Sequence, residues 1–231
     1  MKTVIYTCIT GDYDVLRQPL ELDPGFEFVC FREKGWAGPE REGVWENRPL
    51  PHSLGNAALD SRWPKMHPHE LFPDYEASVW IDANVQITGL DIYEATATML
   101  EEEVTYAGVP HPTRDCVYSE AVKCRDMGYI GWLDLARIHF HYWFIGMPRH
   151  CGLLEDNLIF RRHMEPEIMA LDELWWKKIL NFCRRDQLSL NLCLRRLGIV
   201  PALFLPDGQN TRDCAGFDYQ QHSSKCSPKQ A

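Results

Sequence analysis

Short β-forming runs alternate with stretches of helical periodicity along the chain, and that alternation leaves few architectures open. The runs TVIYTCIT (3–10), FEFVCF (26–31), 78–87, VTYAGVPHP (104–112), LLEDNLIFRRH (153–163) and PALFLP (201–206) have the β-branched and aromatic content of strands. Turn residues such as Gly11 and Asp23-Pro24-Gly25 bound the first two. Between strands, Ala57, Ala58, Leu59, Trp63 and Met66 recur at helical spacing, and Pro64 predicts an end or kink. Residues 93–103, 117–127 and 130–145 also read as helices. Residues 166–198 place Leu171, Leu174, Trp175, Ile179 and Phe182 on one face and are predicted to break near Arg185. The Gly-, Pro- and charge-rich stretch 33–51 is expected to loop, with one short strand near Val44.

Strands alternating with helices predict an α/β fold, a single Rossmann-like three-layer domain around a mixed, mostly parallel central sheet. Its expected span is 1–209, followed by a polar tail, 210–231, whose end frays. A chain of 231 residues that is 45% hydrophobic buries a sizeable core without a metal or disulfide staple. In such sheets ligands bind beyond the carboxyl ends of strands, which predicts that Gly11–Asp14, Asp82–Asn84 and His111–Asp115 share one rim.

The net charge of −9 argues against a general nucleic-acid binder, because phosphate attraction requires a basic surface. A phosphate bridged by a divalent cation remains compatible with it. Nine cysteines, odd in number, irregularly spaced and without a CxxC pair, predict a reducing compartment, the cytoplasm. The N-terminal segment is too quickly polar for a signal peptide, and no apolar run is long enough to span a membrane.

Within YEASVWIDANVQITG, Asp82 and Asn84 interrupt an apolar run two residues apart. In an extended strand both side chains face one way, and their hard oxygens suit Mn²⁺ or Mg²⁺. An Asx turn ending the strand is the alternative, and on these residues alone it leads. Glu155, Asp156 and Asn157 put three polar groups into an apolar strand, Glu155 and Asn157 on one face and Asp156 on the other. They either pair with the basic run Arg161-Arg162-His163 or stand near a substrate. His111, Arg114 and Asp115 follow a strand, as phosphate or acceptor contacts or as a polar surface loop. His67 and His69 flank Pro68 and read as structural, and no histidine pair has helical metal-ligand spacing.

The ordered motifs YTCITGDYD, SRWPKMHPHELFPDYEASVWIDANVQI, HPTRDCVYSEA, GLLEDNLIFRRH, WW and RDQLS resemble a family long labelled as of unknown function. That family includes plant proteins linked to mucilage polysaccharide synthesis and is grouped with the glycosyltransferases. The resemblance runs from about residue 3 to residue 196. It implies a GT-A-type fold, in which an aspartate motif at the end of a central strand holds Mn²⁺ or Mg²⁺ against a nucleotide-sugar diphosphate. Asp82-Ala83-Asn84 lies where that motif would be, with Asn84 replacing its second carboxylate.

The same resemblance implies that Gly11, Asp12 and Tyr13 grip the nucleotide after the first strand, Tyr13 by stacking. After the second strand it leads one to expect Thr-Asp, where this chain has Arg32-Glu33. It places Lys65, beside Arg62, against the diphosphate, and Asp186 and Gln187 on donor-sugar hydroxyls. An N-terminal helix cap is the competing role for Asp186. His222 is the late candidate for a third metal ligand.

The reading is therefore a glycosyltransferase moving a sugar from a UDP- or GDP-sugar donor to a glycan or other hydroxyl acceptor. Asp82 and Asn84 are the expected metal pair. Lys65, Asp82, His111, Arg114, Asp115, Asn157 and Gln187 are the expected donor contacts, with Glu155, Asp156 or Asp186 as base. A hydrolase acting on the same bound group and a non-catalytic nucleotide- or glycan-binding module are the rivals.

Overall fold

The structure, a computed structural model, describes residues 2–11 and 13–220. β1 (Thr3–Ile9) lies inside the sheet, paired in parallel with β2 (Phe26–Arg32) and β5 (Ala77–Ile81). All seven β1 residues are buried, as a strand covered on both faces requires. Beyond β2 come β4 (Trp45–Pro49), parallel, and the edge strand β3 (Arg41–Glu42), antiparallel. Beyond β5 the sheet reverses. β8 (Leu154–Arg161) runs antiparallel between β5 and β7 (Tyr106–Pro110), and β9 (Ala202–Leu203) adds in parallel to β7. The order β3-β4-β2-β1-β5-β8-β7-β9 gives the expected mixed α/β sheet.

Alternation along β1 builds the three layers. Val4, Tyr6 and Cys8 face a cluster containing Trp63 of α1 (Ala57–Lys65), Trp175 and Ile179 of α6 (Pro166–Asn181) and Leu190 of α7 (Gln187–Leu197). Ile5 and Ile9 face the other way, onto Ile92 and Met99 of α3 (Asp91–Glu101) and Phe217. The short α2 (Pro68–Leu71) follows α1. α4 (Val117–Asp126) and α5 (Trp132–Phe144) form a hairpin on the start of α7, sharing Tyr118, Ile138, Tyr142, Leu188 and Leu192.

Several boundaries differ from the sequence expectation. The stretch 33–51 supplies the strand pair β3 and β4 rather than mostly loop; its Trp45 and Asn47 are buried while neighbours stay partly exposed. Residues 78–87 are not one strand. β5 stops at Ile81, the chain turns with Val85 N–H donating to Asp82 C=O at 2.9 Å, and β6 (Val85–Ile87) leaves the sheet. β6 pairs instead with β10 (Phe217–Tyr219). That pairing packs the stretch after Asn210, expected as the start of a polar tail, onto the body; Asn210 and Thr211 are buried. α1 ends at Lys65, one residue after Pro64, as the sequence predicts, and Asn56 caps its other end by accepting from Leu59 N–H at 3.1 Å.

Candidate functional site

α1 ends at the carboxyl rim with Lys65, a lysine whose side chain is only 3% exposed. Buried lysines are rare without partners, and this one has three. Its ammonium lies 3.1 Å from Asp186 Oδ2, 3.5 Å from Asp156 Oδ2 and 3.7 Å from Asp82 Oδ1. These carboxylates come from the end of β5, the start of β8 and the residue before α7, segments the sheet reversal brings together. Arg62, one turn earlier on α1, reaches Asp186 Oδ1 at 3.6 Å. Trp80 donates its indole N–H to Asp82 Oδ1 at 2.7 Å, and Trp175 donates to the Asp186 carbonyl at 3.1 Å. Both rings lie near the ammonium, at 5.5 and 5.9 Å from ring centre to Nζ.

The backbone of Lys65 is held as firmly as its head group. Arg161 of β8, fully buried, donates Nη2–H to the Lys65 carbonyl at 2.6 Å and to the Tyr6 hydroxyl at 2.9 Å. Its Nη1 pairs with Asp172 of α6 at 2.6 Å, itself fully buried. One buried ion pair thus ties strand, core helix and the end of α1 to the ammonium's position.

Burial opposes the charge on Lys65, yet the carboxylates of Asp156, Asp82 and Asp186 outweigh it and hold its pKa above the ordinary lysine value. Asp156 and Asp186 are pushed apart. Burial, reinforced by the Asp186 charge, drives Asp156 well above the usual carboxylate range. For Asp186 burial acts in the same upward sense, but Lys65, Arg62 and Arg185 overcome it and hold the group well below that range. The surroundings thus favour a proton on Asp156 over one on Asp186, and favour Asp186 as the ionised member of the pair.

The face alternation expected of 155–157 is present. Asp156 faces Lys65, while Glu155 accepts a bidentate pair from Arg212 (Nη2 to Oε1 at 2.6 Å) and Asn157 Nδ2 donates to Thr211 Oγ1 at 2.8 Å. The suggested partner run is engaged elsewhere: Arg161 binds Asp172, Arg162 approaches Glu76 at 3.7 Å, and the His163 ring meets the Phe72 carbonyl at 2.9 Å. Asp186 makes no side-chain cap, which removes the capping role weighed for it. Gln187 Nε2 donates to the Leu154 carbonyl at 3.3 Å, bracing the start of β8.

Elsewhere on the rim, Gly11 N–H donates to Glu33 Oε2 at 3.2 Å, joining the ends of β1 and β2. Tyr13 is 39% exposed there. Gly11 has φ +60, a backbone glycine adopts without strain. Arg32, which stands in place of the Thr of the expected family pair, is drawn inward to Asn47 and Glu42, 2.9 Å to each. His111 Nδ1 accepts the backbone N–H groups of Thr113 and Arg114, at 3.1 and 3.0 Å, and burial with the nearby Arg114 pushes its pKa down to about 4. Arg114 pairs with Glu120, and Asp115 meets His150 at 2.8 Å. These three build and brace the loop after β7. Asp12 and His222 lie outside the described residues.

Asn84 is 1% exposed, with Nδ2 donating to the Gln220 carbonyl at 2.8 Å. Because a turn follows Asp82, the same-face geometry expected of an extended strand does not apply to this pair. Asn84 Oδ1 and Asp156 Oδ2 are buried oxygens without a hydrogen-bond partner. The Asn84 amide oxygen and the partly exposed Asp82 carboxylate are hard-oxygen donors of the kind that fits Mn²⁺ or Mg²⁺. A separate group, His67, Glu70 and Glu173, brings nitrogen and carboxylate ligand atoms within 4.8 Å of one another. His67 there also meets the Trp63 carbonyl at 2.7 Å and stacks on the Trp63 ring.

Three contributions went unremarked in the sequence: those of Trp80 and Arg212, and the pairing of Arg161 with Asp172. Trp80 alone carried a signal, standing two residues before Asp82 where a strand returns its side chain to the same face. The others join segments far apart in sequence.

The family model of the TOD1/MUCI70 glycosyltransferase-like domain matches residues 43–207, and the chain belongs to that family. It is 27% identical over 185 residues to the probable hexosyltransferase MUCI70 of Arabidopsis thaliana, covering 74% of this chain and 31% of that protein. To the alkaline ceramidase TOD1 of the same plant it is 26% identical over 190 residues, covering 69% and 41%. The chain thus spans less than half the length of these two relatives. Among solved structures, the Mn/GDP form of core-mannan synthase A from Aspergillus fumigatus superposes with a TM-score of 0.49 at 8% identity, over 84% of this chain and 69% of that one. Mouse xyloside xylosyltransferase 1 gives 0.45 at 8% identity, over 87% and 84%.

Proposed function

We propose that the chain is a glycosyltransferase of GT-A type that binds a nucleoside-diphosphate sugar at the Lys65 cluster and passes the sugar to a hydroxyl acceptor. The observation that carries this reading is the buried ammonium beside a split carboxylate pair at the carboxyl rim, in a chain of a glycosyltransferase-like family. Sugar transfer releases a diphosphate whose growing negative charge must be met, and a preorganised cation with little reorganisation left to do is the efficient way to meet it. Lys65 and Arg62 serve that end. The ionised Asp186 faces the sugar, accepting hydroxyl hydrogen bonds or stabilising positive charge at the anomeric carbon, while protonated Asp156 keeps the pair from repelling itself. UDP- and GDP-sugars are the donors to test first.

Asp82 and Asn84 would hold a divalent cation, which when bound supplies further charge against the diphosphate. Lys65 already neutralises part of this cluster, so metal affinity is low until the diphosphate adds its own negative charge. Manganese and nucleotide therefore bind together.

A panel of nucleotide sugars, watched for released nucleoside diphosphate with and without glycan acceptors, tests the reading. Acceptor-dependent release that falls by roughly a hundredfold or more in Lys65→Met is the expected result. A chain that neither binds nor consumes any nucleotide sugar is not a glycosyltransferase. Release that proceeds equally without acceptor makes water the acceptor and the chain a hydrolase.

A further inference from the structure

The α4–α5 hairpin exposes an apolar face that no part of the described chain covers. Trp132, Leu133, Phe140, Trp143 and Phe144 are 66%, 87%, 65%, 71% and 73% exposed, whereas Ile138 and Tyr142 alone are buried on α5. Phe140 lies against Trp143 and Phe144, with ring centroids 6.0 and 6.1 Å apart, so the rings form one continuous surface. Isolated exposed apolar residues need no explanation, but a contiguous aromatic face of this kind marks an interaction surface.

What surrounds that face is cationic. Arg125 stacks over Trp132 at 3.4 Å, Arg149 lies over Tyr118 at 4.6 Å, and Arg137 and Lys178 both stand 5.6 Å from the Phe182 ring. The ends of α6 and α7 continue the pattern. Residues 174–206 hold six cations and a single carboxylate, the buried Asp186, in a chain of net charge −9. Exposed Leu180 and Leu197 sit among those cations. Asp134 pairs with Arg137 at 3.3 Å and Asp126 with Arg125 at 3.0 Å, so the excess positive charge beside α5 is carried by Arg149, Lys178, Arg184, Arg195 and Arg196.

We propose that this face docks the protein on an anionic phospholipid surface, with the rings of α5 entering the headgroup boundary and the surrounding arginines and lysines meeting lipid phosphates. A helix with Trp, Phe and Leu outward and flanking cations is the arrangement that lies in a bilayer interface, and its cations gain from a negatively charged leaflet. A second copy of the chain would set the same cations against each other across the interface. A glycan would find aromatic platforms but few free carboxylates or amides beside them to order its hydroxyls. The proposal stands apart from the transferase reading, although the geometry links the two. Tyr142 of α5 bonds the Leu188 carbonyl and Arg137 bonds the Phe182 carbonyl, so the docking hairpin packs directly around the segment that carries Asp186.

Co-sedimentation with vesicles tests it, using pure phosphatidylcholine and phosphatidylcholine with about one-third phosphatidylserine. The expected result is binding to the serine-containing vesicles that weakens as salt rises. The double variant Phe140→Ser/Trp143→Ser should lose about tenfold or more in affinity on either vesicle. Arg149→Gln/Lys178→Gln should lose binding to the anionic vesicles alone. Circular dichroism melts of both variants should match the parent, since these side chains leave the core untouched. Three results would each overturn the proposal: no vesicle binding by the folded parent; a dimer in size-exclusion chromatography that Phe140→Ser/Trp143→Ser dissolves; or capture on a soluble-glycan array abolished by that variant.

Discussion

At the scale of single residues, the centre depends on environments that drive like groups apart. Asp156 and Asp186 are both buried carboxylates, yet one is surrounded so as to keep its proton and the other so as to lose it. Asp156→Asn, which copies a protonated carboxyl, should keep nucleoside-diphosphate release within about tenfold of the parent. Asp186→Asn removes a charge the site is built to hold and should lower turnover by roughly a hundredfold or more, read in the same release assay. The opposite order of effects would reverse the two roles. Asp82 and Asp156 stand out in the sequence as acids inside apolar strands, whereas Asp186 is named through the family resemblance. The sequence did not show that all three meet at one ammonium, since the meeting depends on the reversal from β5 to β8.

Among elements, the end of α1 is positioned by a pair it does not contain. Arg161 and Asp172, each fully buried, join β8 to α6 and hold the Lys65 carbonyl. Asp172→Ala leaves a guanidinium buried and unpaired, and urea unfolding should show a loss of about 3–5 kcal/mol. Replacing both partners together, Arg161→Met with Asp172→Leu, should cost much less stability, because no charge is then stranded. A double variant as unstable as the single one would mean that packing, not the unpaired charge, dominates. The sequence showed Arg161 only as part of a basic run and Asp172 only as a helical acid. Alternation marked β1, β2 and β8 clearly, but nothing local marks the point where β5 gives way to a turn. That break at Asp82 comes from the pairing of β6 with β10, more than 120 residues later in the sequence.

For the whole molecule, pH should act through buried histidines against two buried carboxyls, Asp156 and Asp172, the latter pushed up to about 7 by burial. His111 and His163 are both pushed down to about 4, chiefly by burial. An unfolded chain takes up protons on them below about pH 6.5, where the folded chain does not, so stability falls as pH drops from 6.5 toward 4. Asp156 works in the other direction. Its raised folded pKa means that the folded chain holds a proton the unfolded chain has released, a contribution that is fully present at low pH and fades as pH rises through the folded value. His67, His69 and His141 are also held low by burial, so between pH 6.5 and 5 the histidines outnumber the two carboxyls, and denaturant unfolding should show stability declining with acid. Asp156→Asn removes one opposing proton and should steepen the decline by about 1.4 kcal/mol per pH unit. An unchanged slope would place the proton elsewhere. At this scale the α/β architecture was readable from the order of runs. The anchoring of residues 210–220 was not, because a polar segment that closes a two-stranded ribbon looks like a tail until its partner strand is known.

The account stands on the Lys65 cluster being a diphosphate site, and calorimetric titration of UDP and GDP into the protein, with and without Mn²⁺, tests that most directly. The predicted result is nucleotide binding that Mn²⁺ strengthens, Mn²⁺ binding that is weak without nucleotide, and loss of nucleotide binding by about tenfold or more in Lys65→Met with the fold intact. Nucleotide binding that is the same in Lys65→Met as in the parent, or no binding of either nucleotide under any condition, would contradict it.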